Sequence, residues 1–265
     1  MGSPLDDVRF LAASENRVRV LTYLHDTPAD RQELHEKTGI SRPTLSRILS
    51  GFHDRGWVIQ SGSHCEITPL GDSFVTEFTA LMTLAETIQK LRDVGQWLPF
   101  EEMDIGPRHF EDANIVTVTE NDPAAPMRRA KELTRQADHI SFITKIFEES
   151  IVEVLWERAV NGELTAEVVI TEEVVEMIGG NPEMAKLLRE AVETGQVTFF
   201  RSDEEITHIV ALIDESRAGM LVQDDDGVLR AELDTDDEAF RSWVASTIET
   251  HQRDAELIPA EDFRV

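Results

Sequence analysis

Residues 39–58, GISRPTLSRILSGFHDRGWV, decide how the first part of the chain is read. Leu45, Ile48, Leu49 and Phe52 fall at i, i+3, i+4 and i+7, so they form the buried stripe of a helix beginning at Ser41. The opposite face centres on Arg47, with Pro43, Ser46, Ser50 and Asp54 around it and Arg42 and Thr44 on its flanks. Pro43 is tolerated because first-turn N–H groups have no partner inside a helix.

On the N-terminal side, SENRVRVLTYLHD begins at Ser14 and places Val18, Leu21 and Leu24 on neighbouring turns of a short amphipathic helix. DTPAD breaks it, and Asp30 with Glu33 makes a D-x-x-E cap for a second helix, RQELHEKTG, closed by Gly39. On the C-terminal side, WVIQSGSHCEIT after Gly56 reads as two strands turning at Ser61 and Gly62. Three helices followed by a hairpin predict a winged helix-turn-helix over residues 1–70.

From Pro69, Phe74, Phe78, Leu81, Ala85 and Ile88 are spaced 4, 3, 4, 3 on a helix running to about Val94, with Arg92 interrupting the next position. Residues 71–100 are expected to be a linker or dimerisation helix. It pairs with its twin or packs on the second domain; the spacing admits both.

GQWLPFEEMDIGPRHFED reads as a connector. Beyond it ANIVTVT, AAPMRRAKELTRQAD, HISFITKI, EESIVEVLWERAVNG, LTAEVVIT, a helical stretch from Glu172 to Thr194 and QVTFF alternate strand with helix. That pattern predicts βαβ units. ITHIVALID, RAGMLVQ and VLRAELD follow with short connections, suggesting antiparallel additions, with Asp-Gly of QDDDGV at a turn. A last helix, Asp236 to about Leu257, is expected to bury Phe240, Trp243, Val244, Ile248 and His251. Residues 101–265 therefore read as an α/β domain with a mixed, mainly parallel sheet.

The chain of 265 residues is long enough for two cores, and its formal charge is −27. The first 70 residues hold eight Lys and Arg against nine Asp and Glu, so nearly all of the acidic excess follows residue 70. Lysine is scarce, five against twenty arginines. Such a surface suits a protein kept soluble in concentrated salt, where charges are screened within about 3 Å at 1 M. A halophilic source accounts for it; an acidic mesophilic protein is the alternative. No apolar run reaches the roughly 18 residues of a membrane helix, and MGSPLDDVRF lacks a basic region followed by an apolar one, so a cytoplasmic protein is expected. The single cysteine, Cys65, excludes an internal disulfide framework and any multi-cysteine zinc site.

LHEKTGISRPTLSRILSGFHDRGWV and the closing ITPLGDSF resemble the winged helix-turn-helix domains of archaeal ArsR-like and MarR-like regulators. The whole layout, with VVITEEVVEMI in its second part, resembles haloarchaeal regulators carrying a FilR1-type C-terminal domain, distantly similar to the TrmB regulators. The resemblance implies a transcription regulator whose second domain is an effector or dimerisation module related in fold to phospholipase D. The H-x-K-x-x-x-x-D signature of that enzyme is absent, since His35, Glu36 and Lys37 are followed by Arg42 where Asp is required. No G-x-S-x-G, Walker loop, G-x-G-x-x-G or H-E-x-x-H occurs either, so a non-catalytic protein without cofactor or metal is expected.

The residues expected to meet DNA are Ser41, Arg42, Pro43, Thr44, Ser46 and Arg47 of the third helix and Ser61, Gly62, Ser63 and His64 of the wing. Arg donates two bonds to guanine O6 and N7, and recognition-helix N-termini approach base edges. The wing lacks Lys and Arg, leaving it amides, hydroxyls and His64. The partner would be promoter DNA, palindromic if the protein is a homodimer. His53, His64 and Cys65 make a weak metal pattern. A small-molecule effector is expected beyond the carboxyl ends of the parallel strands, at Thr144, Lys145, Thr171 and Arg201, because open α/β sheets bind there. Two other readings stay open: a winged helix that binds protein, and a thiol sensor through Cys65. Against the sensor, Cys65 shares its strand face with the apolar Ile67.

Overall fold

The computed structural model describes residues 3–263. The chain forms two compact units, Met1–Ala85 and Glu86–Val265.

The first unit contains α1 (Pro4–Ala12), α2 (Glu15–Asp26), β1 (Ala29–Asp30), α3 (Arg31–Thr38), α4 (Arg42–Asp54), β2 (Val58–Ser61), β3 (His64–Ile67) and the start of α5 (Pro69–Lys90). Helix α1 is one more than the pattern predicts. It starts on a capping box between Ser3 and Asp6 and buries Leu11, but its Leu5 and Val8 are exposed, so it carries only a weak stripe. Strand β1, too short to show alternation, pairs Ala29 with Cys65 and Asp30 with His64, giving a three-stranded sheet in the order β1-β3-β2. The hairpin turn lies one residue later than expected, at Gly62 and Ser63, with Gly62 at φ 63°.

Leu45, Ile48, Leu49 and Phe52 of α4 are buried as their spacing requires. Phe52 belongs to an aromatic stack with Phe10 (6.1 Å), Trp57 (5.9 Å) and, beyond Trp57, Phe74 (4.4 Å). Burying each such ring stabilises the unit by roughly 1.5–3 kcal/mol. Along α5, Phe78 is buried whereas Leu81 and Ile88 are exposed.

The second unit contains the remainder of α5, α6 (Phe100–Met103), β4 (Asn114–Thr117), α7 (Ala125–Gln136), β5 (His139–Ile143), α8 (Glu149–Val160), β6 (Thr165–Ile170), α9 (Glu172–Gly179), α10 (Pro182–Glu193), β7 (Val197–Arg201), β8 (Ile209–Ile213), β9 (Arg217–Gln223), β10 (Leu229–Thr235), α11 (Glu238–Arg253) and β11 (Glu256–Ile258). The eight large-sheet strands lie in the order β11-β7-β6-β5-β8-β9-β10-β4.

The sheet is mixed, but its parallel pairings are confined to β5–β6 and β6–β7; the others are antiparallel. This corrects the expectation of a mainly parallel sheet. The β4–α7–β5 unit does bring β5 back in the direction of β4, yet the meander β8–β9–β10 is inserted between the two strands. Alternation along a sequence reports a crossover, not which neighbours it leaves beside each other. The last helix also ends earlier than expected, at Arg253. Residues 256–258 form an edge strand on β7, with Leu257 exposed and Ile258 buried.

Apolar residues cover both faces. Phe142, Val168 and Phe199 pack with α7, α8, α9 and α10, while Ile143, Val169 and Met220 pack with α11 and the connector residues Leu98, Met103 and Phe110. On β10 the alternation is unusual. Ala231 and Leu233 join the second cluster, and Glu232 and Asp234, on the α7 side, are buried carboxylic acids.

Candidate functional site

The turn between α3 and α4 is built by local chemistry. Asp30 caps α3 by accepting from the Gln32 and Glu33 amides at 2.7 and 2.9 Å, while Glu33 accepts from the Asp30 amide at 2.8 Å. The Glu33 amide holds the Asp30 carboxyl below its usual range. Gly39 ends α3 at φ 71°, in the left-handed region glycine enters without strain. The Thr38 hydroxyl donates to the Leu34 carbonyl and accepts from the Ile40 amide, and Arg19 reaches the Thr38 carbonyl at 3.2 Å.

That turn sets the exposed face of α4. Ser41, Arg42, Pro43, Ser46 and Arg47 are exposed and Thr44 is half-buried. The Ser41 and Thr44 hydroxyls are 2.9 Å apart. Among the described residues nothing forms a hydrogen bond or ion pair with the guanidinium groups of Arg42 and Arg47, in a chain with 52 acidic residues. Arg55, at the end of the same helix, is by contrast held by Asp7 at 2.9 Å and lies 3.6 Å over the Phe10 ring.

Ser61, Gly62, Ser63 and His64 are exposed at the wing tip. His64 contacts the Ser63 hydroxyl at 3.2 Å and approaches Glu33 at 3.9 Å, so it faces the cap of α3. It therefore gathers with Asp30 and Glu33, not with His53 and Cys65, and both of those carboxylates already serve as helix-cap acceptors. Cys65 is buried, and burial pushes its thiol up, which lowers the thiolate fraction a sensor needs.

In the second unit, Thr144, Lys145 and Thr171 follow, and Arg201 ends, adjacent parallel strands. Arg201 is ion-paired with Glu172 at 2.9 Å and also with Glu256. These bonds raise its already high pKa, with Glu256 contributing most, and leave less of the guanidinium for an anionic ligand. Lys145 reaches the Thr207 carbonyl at 3.4 Å. The Thr144 hydroxyl is turned to the Ile146 backbone.

The feature that sequence reasoning missed is on β10. Asp234, fully buried, accepts from Arg129 at 2.9 and 3.0 Å, from Asn114 at 2.9 Å and from Arg217. Burial alone pushes its carboxyl up, but the bonds from Arg129, Asn114 and Arg217 outweigh it and hold the group below its usual range. Glu232, two residues earlier on the same face, has an Oε2 atom with no hydrogen-bond partner. Burial foremost, and the neighbouring Asp234 charge, push it up to about 9, so it is neutral at pH 7. The signal available in the sequence was two acids, Glu232 and Asp234, at the inward positions of an otherwise apolar strand.

Two family models match the chain: the HVO_A0261 N-terminal domain over residues 5–90, and the middle domain of the methanogenesis regulatory protein FilR1 over residues 123–254. A comparison with curated protein sequences finds no match. Among solved structures, TrmBL2, described as an archaeal chromatin protein, is similar at 11% identity and a TM-score of 0.43, over 96% of this chain and 99% of that one. The phospholipase D family member Nuc from Salmonella typhimurium is similar at 8% identity and a TM-score of 0.43, over 56% of this chain and 97% of that one. NucT from Helicobacter pylori gives 9%, 0.41, 55% and 98% in the same order. The chain is thus built of an HVO_A0261-type N-terminal domain followed by a FilR1-type middle domain.

Proposed function

We propose that the chain is a sequence-specific regulator of transcription that binds promoter DNA as a homodimer and answers to a small-molecule effector held by its second domain. The observation that carries the DNA reading is the exposed face of α4, where Arg42 and Arg47 stand unpaired beside Ser41 and Ser46. Arg47 would read a base edge, Arg42 a base or phosphate, and Thr44 and the wing residues Ser61, Gly62, Ser63 and His64 the backbone. Pro43 pre-sets the first turn. The dimer reading is supported by the exposed apolar residues Leu81, Met82 and Ile88 along α5. Palindromic half-sites would follow from the twofold axis. The role is regulatory and not catalytic, exercised in the cytoplasm of a halophilic archaeon, and it needs no cofactor or metal.

A gel shift with DNA from the protein's own upstream region, repeated across salt, tests the reading. Arg47→Ala should weaken binding by about 1–3 kcal/mol and relax preference at one position. No retardation at any salt, or binding indifferent to Arg47, would point instead to a protein partner for the winged helix.

A further inference from the structure

On the sheet face under α7, Ala211 of β8 stands directly across from Gly219 of β9. Phe142 of β5 pairs with Ala211 on the other side. Two adjacent positions thus carry almost no side chain, and the sheet has a hollow where its neighbours have bulk. Helix α7 and the segment leading into α8 roof the hollow with Met127, Ala130, Phe147 and Ile151, leaving a cavity of about 90 Å³. Its walls are largely apolar. Thr134, Thr144, Glu148 and Glu232 are the polar residues of the lining, and of these Glu232 is 2% exposed and leaves Oε2 without a partner. A methyl group on Gly219 would come within 3.2 Å of Glu232 Oε1, so the glycine also makes room for this side chain.

An apolar core of this kind has no structural use for a carboxyl group with an unmade bond, since an orphaned buried polar atom is destabilising. The adjoining Asp234 is engaged by Arg129, Arg217 and Asn114, so those positive charges already have a partner, and the Glu232 carboxyl lies beside Asp234 with its Oε2 atom left unbonded. We infer that the cavity between α7 and strands β5, β8, β9 and β10 is a binding site for a small, uncharged, mostly apolar molecule bearing one hydrogen-bonding group, which the Glu232 carboxyl receives. An ion of either sign would have to lose its hydration against largely apolar walls, and an anion would in addition meet the Glu148 carboxylate of the lining. A neutral molecule about the size of one ring meets neither obstacle. The site is separate from the strand-end positions Lys145, Thr171 and Arg201; of the four residues expected there, Thr144 lines it. Its service as the effector pocket rests on the regulatory reading above. The binding itself does not.

The test uses the full-length protein without DNA, titrated by calorimetry with phenol, toluene, benzoate and benzylamine. Phenol should bind, and the two ions should not. The decisive quantity is the phenol-to-toluene affinity ratio, which should fall about tenfold in Glu232→Met, the loss expected for one buried hydrogen bond. Glu232→Gln, which keeps a donor and an acceptor, should hold the ratio within about twofold of the native value and controls for a variant that fails to fold. Absence of binding by both neutral probes overturns the proposal. So does a ratio unchanged by Glu232→Met, or tighter binding of benzylamine or benzoate than of phenol. None of these results would bear on operator recognition, which the gel shift decides.

Discussion

Replacing Glu232 with glutamine should change how the second unit's stability depends on pH. In the unfolded chain the carboxyl releases its proton near the ordinary value of 4.5, whereas the folded protein retains it up to about 9. Between those values the folded state binds more protons than the unfolded one. The proton's contribution to stability is therefore complete below pH 4.5 and is lost progressively as pH rises towards 9. The slope is about 1.4 kcal/mol per pH unit, so by pH 7 the native protein has lost about 3 kcal/mol on this account. Glutamine fills the same space and has no proton to release. Other titrating groups are common to both proteins and cancel in the difference. Denaturant unfolding from pH 5 to 8.5 at fixed salt, followed by fluorescence of Trp97, Trp156 and Trp243, measures it. The variant should gain on the native protein steadily with pH. A separation between the two curves that stays constant over this range would refute the argument and mean that the carboxyl is solvated in the folded state.

Asp234→Ala should destabilise the second unit by about 1.5–3 kcal/mol, because it removes the charged acceptor shared by the half-buried Arg129 and Arg217 and by Asn114. A loss below about 1 kcal/mol on thermal melting would show that water already reaches those groups. Gly71→Ala should cost about 1–3 kcal/mol in the first unit, since its new methyl would stand 2.2 Å from the Trp57 carbonyl oxygen; unaltered melting would rule out that contact. Mild oxidation should leave operator affinity unchanged, because Cys65 is buried; a loss reversed by dithiothreitol would restore the sensor reading. Finally, operator affinity should fall with salt less steeply than for a polybasic protein, where each neutralised phosphate adds about 0.9 to the logarithmic slope.

The first unit was largely legible because its signals are local. Asp30 with Glu33, Gly39 and the stripe Leu45, Ile48, Leu49 and Phe52 each act within a few residues, and each forms the structure its chemistry dictates. Helix α1 was hidden because it buries one side of a weak stripe, and β1 because two residues carry no period. In the second unit the elements were readable but their neighbours were not: nothing near β4 announces that it will pair with β10, which follows it by more than 100 residues. The strand-end positions were located correctly on adjacent strands, yet partners from elsewhere, Glu256 for Arg201 and the Thr207 carbonyl for Lys145, engage two of them. The cavity could not be foreseen at all. It arises from Ala211 and Gly219 meeting across two strands, and neither residue is informative alone.

The close approach of Gly71 to Trp57 also has a mechanical meaning. Trp57 Cα and the backbone carbonyl atoms lie where a side chain on Gly71 would stand; the Thr68 amide donates to that same carbonyl at 2.8 Å, and the Thr68 hydroxyl donates to the Gly56 carbonyl beside it at 2.7 Å. The start of α5 therefore meets the root of the wing in direct backbone contact, beside the stacked rings of Trp57 and Phe74. A twist applied to this end of α5 would bear directly on the wing, and through the contact of Trp57 with Phe52 on the helix that carries Arg47. Backbone packed this closely leaves little room for relative rotation, so the joint is expected to be stiffer than one made of side chains alone.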